Sequence, residues 1–249
     1  MRLLVSVRNA AEARIALQAG ADIIDVKEPD AGALGFAGRD VVQDIVTTVN
    51  GQVPVSAAMG ECVDVKTLAA EGTVPTAPAA LDFVKLGLAA VADADASWTT
   101  RWETARRTIA DASEWSTHAN PPRWVAVAYA DHDSGTPAPR EVLQAAMEAG
   151  CAGVLIDTSN KRLGSTPDLL PAAELSELRQ AAADAGLFFA LAGKITEHHL
   201  PDIDRLEPDI VAVRGAVCES SDRQNPLSAE RITRLKTLLG QLRQKSPTG

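Results

Sequence analysis

Short apolar runs alternate with longer stretches of helical period along the whole chain. Eight of the runs read as strands, at residues 3–7, 23–27, 53–59, 83–88, 124–130, 153–158, 188–194 and 210–215. Between them apolar residues return every three or four positions. That spacing predicts helices over 10–19, 39–49, 65–70, 97–112, 140–149, 171–185, 197–205 and 228–244. Local punctuation agrees: Asn9 stands where an N-cap is wanted, and Gly20, Gly150 and Gly186 stand just past helix ends. Segments 18–22, 148–152 and 183–187 each join a helix to the next strand through a glycine, a weak repeat of one unit. Ile232, Leu235, Leu238, Leu239 and Leu242 give the last helix one apolar face, which either packs on its own fold or joins two copies of the chain.

Strict alternation of apolar strands and helices implies a parallel sheet covered by helices. Eight such units in 249 residues match a single (β/α)8 TIM barrel, an α/β fold spanning residues 1–245. A doubly wound open sheet is the alternative, but no GxGxxG fingerprint follows the first strand. Residues 71–78, with two prolines, and 119–123, with Pro121 and Pro122, read as loops, and 246–249 as a disordered tail.

Composition narrows the function. Aromatics are 4% of the chain, so the core is built from Ala, Val, Leu and Ile. A net charge of −9 argues against nucleic acid, whose phosphates need clustered cations. No segment approaches the roughly 18–20 apolar residues of a membrane helix. The first seven residues read as a strand rather than a signal peptide, so a cytoplasmic enzyme is expected. Cys62, Cys151 and Cys218 are widely spaced and read as small buried residues; His118, His132, His198 and His199 lack metal-ligand spacing. The His198–His199 pair reads as solvated surface at a helix start. No metal site is expected from the spacing of these residues.

The most informative stretch is 22–29, a β-branched strand that ends in Lys27 and breaks at Pro29 into the glycine-containing loop 32–35. Period two puts Asp25 and Lys27 on one side. In a barrel, catalytic groups stand at the C-terminal ends of strands. Polar residues there are Asp25 and Lys27 on strand two, Lys85 on four, Tyr129 and Asp131 on five, and Asp157 on six with Lys161 four residues on. Gly193 and Lys194 follow on seven, Arg214 and Gly215 on eight. Lysines brought together and desolvated lose basicity, so one of them becomes a free amine able to form an imine with a carbonyl. A rim of structural ion pairs is the alternative; their recurrence on strands two, four and six favours catalysis. Glycines and cations after strands seven and eight suit a phosphate.

These residues carry a family likeness. The stretches 3–6, 20–27, 32–35, 84–87, 155–158, 190–193 and 211–218 together resemble the (5-formylfuran-3-yl)methyl phosphate synthase family of methanofuran biosynthesis, also called 4-(hydroxymethyl)-2-furancarboxaldehyde-phosphate synthase. The resemblance runs from residue 1 to about 223. It implies a lyase that joins two molecules of glyceraldehyde 3-phosphate, one first isomerised to dihydroxyacetone phosphate, with dehydration and loss of one phosphate. It implies Lys27 as the Schiff-base lysine, Lys85 as proton acceptor, Asp157 and Lys161 as a further acid–base pair, and Asp25 as the carboxylate beside the imine. It implies no cofactor. Lys194 departs from the small polar residue of the family, adding a cation that bears on phosphate binding and pocket width. The low aromatic content fits a bacterial member serving one-carbon metabolism. A simpler Schiff-base aldolase, a triose-phosphate isomerase-like enzyme and a non-catalytic phosphate-binding barrel are the competing readings.

Overall fold

The computed structural model describes residues 1–91, 97–133 and 135–245. The expected tail at 246–249 lies outside them. Strands β1 (Arg2–Val7), β2 (Ile23–Val26), β3 (Val55–Glu61), β4 (Phe83–Gly87), β5 (Arg123–Tyr129), β6 (Gly153–Asp157), β7 (Phe188–Leu191) and β8 (Ile210–Val213) form a closed parallel barrel. They pair in chain order, and β8 returns to β1. Helices α1 (Ala10–Gln18), α2 (Arg39–Val49), α3 (Cys62–Glu71), α4 (Trp98–Ala112), α5 (Pro139–Glu148), α6 (Thr166–Leu169), α7 (Ala172–Asp184), α8 (Leu200–Leu206) and α9 (Ala229–Lys245) connect them or close the chain.

Each of the eight predicted strands is present, and the differences from the sequence reading lie at the ends. The seventh and eighth strands stop at Leu191 and Val213 because the chain turns into the mouth of the barrel there. Helix α3 is longer than the apolar period suggests: it starts at Cys62, directly after β3, with Asp64 in its first turn complementing the helix dipole. The helix expected at 197–205 is a 3-10 turn, Glu197–His199, followed by α8, whose second residue is Pro201. Helix α6 has no apolar period to announce it; Ser165 and Asp168 make it, the Asp168 carboxylate accepting from Ser165 N at 2.9 Å. Asn9 caps α1 as expected, accepting from Glu12 N at 2.9 Å.

Alternation along the strands divides the apolar residues into two clusters. Outward residues such as Val5, Ile24, Met59, Leu86, Ile156 and Val211 pack against the helices in one continuous layer. Ile232, Leu235 and Leu239 of α9 belong to it, with Leu238 and Leu242 packed at its edge, so the last helix spends its apolar face on its own barrel. Inward residues fill the barrel: Leu4, Ile23, Phe83, Val125 and Ile210 form its floor, and the Phe83 and Phe188 rings meet edge to face at 5.5 Å. Two residues further along β1, β2 and β4 the inward positions turn polar, with Ser6, Asp25 and Lys85, and on β6 Asp157 follows Leu155. That change marks the mouth.

Candidate active site

Barrel register sets three polar side chains in a row: Ser6 of β1 pairs with Asp25 of β2, which pairs with Ser56 of β3. All three face inward and are buried. A carboxylate taken from water needs its lone pairs filled. Here Ser56 Oγ donates to Asp25 Oδ1 at 2.6 Å, Ser6 Oγ donates to Oδ2 at 3.0 Å, and the Lys85 ammonium of β4 binds Oδ1. Lys85 is itself buried, so the pair is a closed internal ion pair.

A second pair stands across the mouth. Asp157 ends β6 beside Tyr129 of β5. Its Oδ1 accepts from Lys161 Nζ at 2.6 Å and from Thr158 N at 2.7 Å. Lys161 also donates to Thr158 Oγ1 at 2.8 Å. The loop that carries Lys161 is fixed by Asp131, which accepts from Ser159 N at 2.7 Å, Ser159 Oγ at 2.9 Å and Asn160 N at 2.6 Å. Burial pushes the Asp157 carboxyl up, but Lys161, Lys27 and the hydrogen bonds outweigh it and hold it down at about 2.

Lys27 lies between the two pairs. It is partly buried, lines the cavity, and among the described residues its ammonium has no hydrogen-bond acceptor. Desolvation, with Lys161 and Lys85 adding to it and Asp157 and Asp25 opposing, lowers it from 10.5 to about 8. At neutral pH roughly a tenth of such an amine is unprotonated and nucleophilic.

These groups share one cavity of about 400 Å³. Asp25, Lys27, Lys85, Asp157, Lys161, Gly193, Lys194, Arg214 and Gly215 all line it, so the residues singled out in the sequence converge. Gly193 has a φ of +85°, and a Cβ there would collide with Thr166 Oγ1. That clearance lets the β7 loop press against α6, where Thr166 N donates to Gly193 O at 3.0 Å. Lys194 is exposed at the rim, with a φ of +53°. Gly193, Lys194, Gly215 and Ala216 line the same wall, and among the described residues none of their backbone N–H groups has an acceptor.

Arg214 departs from its expected use. Its guanidinium is committed to internal partners: it donates to Glu12 of α1 at 2.8 and 3.3 Å, to Ser6 O at 2.9 Å and to Arg223 O at 2.7 Å. It braces the turn after β8. Arg223, which no sequence signal marked, also lines the cavity and donates to Gly32 O at 3.1 Å and Pro29 O at 3.3 Å, strapping the loop after β2. Arg8 strengthens that loop through Glu28 and Asp30, each at 2.7 Å. His199 is also a correction: rather than lying free, it accepts from Thr196 N at Nδ1, 3.0 Å, and meets Ser165 Oγ at Nε2, 3.1 Å, clasping the β6 and β7 loops. Among the described residues no cluster of three or more His, Cys, Asp or Glu is placed to share a metal ion, and no helix is long and apolar enough to cross a membrane.

The fold is shared with solved enzymes at low identity. Phosphoribosyl anthranilate isomerase from Thermus thermophilus has a TM-score of 0.53 at 15% identity, covering 97% of this chain and 100% of that one. Thiamine phosphate pyrophosphorylase from Pyrococcus furiosus has a TM-score of 0.57 at 12% identity, covering 96% and 95%. Sequence comparison is more specific. The (5-formylfuran-3-yl)methyl phosphate synthase of Methanosarcina acetivorans is 34% identical over 94% of this chain and 97% of its own length. That of Methanopyrus kandleri is 34% identical over 89% and 91%. A family model described as 4-HFC-P synthase matches residues 3–236. The chain with this lysine-lined barrel mouth therefore belongs to the 4-HFC-P synthase family.

Proposed function

We propose that the protein is a Schiff-base lyase that condenses two molecules of glyceraldehyde 3-phosphate, one by way of dihydroxyacetone phosphate, into 4-(hydroxymethyl)-2-furancarboxaldehyde phosphate for a methanofuran-type cofactor. One observation carries this reading: Lys27 faces the cavity without a carboxylate bonded to it, lowered to about 8, while Lys85 and Lys161 each hold an aspartate. The neutral amine of Lys27 adds to the carbonyl of a triose phosphate, water leaves, and the protonated imine draws electrons from the neighbouring carbon. Lys85 exchanges a proton with that carbon, and the Asp25 carboxylate balances its charge. Lys161, held by Asp157, serves the second carbonyl and the departing hydroxyl groups. Phosphate is received by the N–H groups of Gly193, Lys194, Gly215 and Ala216 with the Lys194 side chain beside them; Arg214 contributes by bracing the turn that presents Gly215. The reaction needs no cofactor, and the reading places the enzyme in the cytoplasm with its phosphorylated trioses.

The test is to incubate the protein with glyceraldehyde 3-phosphate, with and without borohydride, and to analyse peptides by mass spectrometry. A triose-phosphate adduct on Lys27, with a furan chromophore in the unreduced sample, is expected. An adduct without the chromophore makes the protein a plain aldolase. No adduct on any lysine of the folded protein overturns the imine mechanism and leaves a phosphate-binding barrel.

A further inference from the structure

A third carboxyl group enters the barrel, bonded to neither lysine–aspartate pair. Glu61 ends β3, and strict alternation would point it outward with Ala57 and Met59. Gly60 has a φ of +88°, the register with β4 shifts between Ala58 and Glu61, and the side chain turns inward instead. It lies across Gly87, where any Cβ would collide with its carboxyl oxygens. Gly87 follows Lys85 by two residues, so both face the interior and the Glu61 carboxyl sits one step above the lysine. Its Oε1 accepts from the Tyr129 hydroxyl at 2.6 Å and its Oε2 from Ala89 N at 3.1 Å. A bulge, two glycines and two neutral donors thus serve to hold one carboxyl in the barrel.

Tyr129 is the chain's one tyrosine, is fully buried and stands beside Asp157 in the β5–β6 pairing. Leu34 packs in the same inner cluster and also lines the cavity. The charged and titratable groups that face Glu61 are Tyr129 from β5, Asp157 from β6 and Asp64 from α3. Adjacent Cys62 faces Arg101 of α4, and the Lys85 ammonium of β4 is bonded to Asp25. No cation bonds to Glu61 among the described residues. Burial raises its carboxyl to about 7, the bonds from Tyr129 and Ala89 opposing and Asp64 and Asp157 adding.

We propose that Glu61 is a positioning residue of the condensation, which acts through the Tyr129 hydroxyl on Asp157 as it gains and loses a proton. As a carboxylate, Glu61 holds the Tyr129 hydrogen. When it takes one proton from solvent it releases that hydrogen, which turns toward Asp157; loss of the proton reverses the change, and Tyr129 and Asp157 keep their own proton counts. Condensation followed by dehydration requires groups that change state near neutral pH. Asp157, kept low by the charges of Lys161 and Lys27, stays ionised there, and Glu61, turned into the barrel and bonded to Tyr129, is a carboxyl group placed to change state beside it. The inference rests on the functional reading above.

A single tyrosine allows a direct test. With ¹³Cζ-labelled tyrosine, the full-length protein gives one resonance, which is expected to titrate with a midpoint near 7 and to lose that transition in Glu61→Gln. In parallel, kcat for furan phosphate is measured across pH for the wild type, Glu61→Gln and Tyr129→Phe. The wild type is expected to show an ionisation near 7. Both variants lose it, and kcat falls roughly tenfold, less than the roughly 10²- to 10⁴-fold of a group that touches substrate. A Glu61→Gln enzyme with the wild-type pH profile, changed only in melting temperature, overturns the proposal. So does a Tyr129 resonance that does not move. A titrating resonance in a wild type that makes no furan phosphate overturns the functional reading and leaves the Glu61–Tyr129 coupling standing.

Discussion

On the β2–β4 side of the mouth, Asp25 and Lys85 expose 2% and 5% of their side chains, and two serines close the remaining lone pairs of the carboxylate. On the β6 side, Asp157 is equally buried at 3%, but its partner Lys161 is 23% exposed and comes from a loop rather than a strand. The chemical pair is the same and the settings differ. The first is part of the rigid barrel and is set among strands β1 to β4. The second is pinned by the Asp131 hydrogen bonds, on the more exposed side of the cavity. Lys27 sits between them and belongs to neither. Desolvation outweighs the two distant carboxylates that Lys27 senses, and with the two neighbouring ammonium groups it leaves Lys27 lowered to about 8.

The largest expected effect removes the residue that the two pairs frame. Lys27→Met should lower turnover by at least about 10³-fold, as loss of a covalent nucleophile does, while the protein becomes more stable. Its folded pKa lies below that of the unfolded chain, so the wild type is penalised in full below about 8 and relieved as pH rises from about 8 to 10.5. Urea unfolding should show a gain of up to about 3 kcal/mol at pH 7 that fades above pH 8. A variant less stable than wild type at pH 7 would mean that Lys27 has a bonded partner.

Breaking the closed pair comes next. Asp25→Ala leaves the Lys85 ammonium buried without a counter-charge and should cost about 3–5 kcal/mol in urea unfolding. Asp157 is tested by acid. Its carboxyl falls from 3.8 to about 2 on folding, so its contribution is present above pH 4 and is lost as pH drops through about 2. Asp157→Asn should therefore cost about 2 kcal/mol at pH 7, with the gap to wild type closing in that acid window. Equal losses for the two aspartates would erase the distinction between the closed and open sides.

Asp131→Ala should have the smallest effect. It frees Ser159 and Asn160 and with them Lys161, so kcat is expected to drop several-fold while stability changes by about 1–2 kcal/mol for the lost hydrogen bonds. Unchanged kinetics with a lowered melting temperature would make the loop structural.

Much of this was legible along the chain, because periodicity is a local property. Eight apolar runs separated by helical spacing specify the barrel, and period two places Asp25 and Lys27 on one face before any coordinate is known. That Asp25, Lys85 and Asp157 sit at strand ends, and so at one mouth, also follows from order alone. What tertiary structure decided is which group each of them meets. Lys85 finds Asp25 across 60 residues, Glu61 finds Tyr129 across 68, and Arg214 finds Glu12 across 202. The residue types on strand eight invite a phosphate-binding arginine, yet the fold spends that guanidinium on α1 and brings Arg223 from a loop with no period to announce it. Local pattern determines which way a side chain faces. Register between strands and the return of loops over the mouth determine what lies within three ångströms of it, and the charge of a lysine depends on that second quantity.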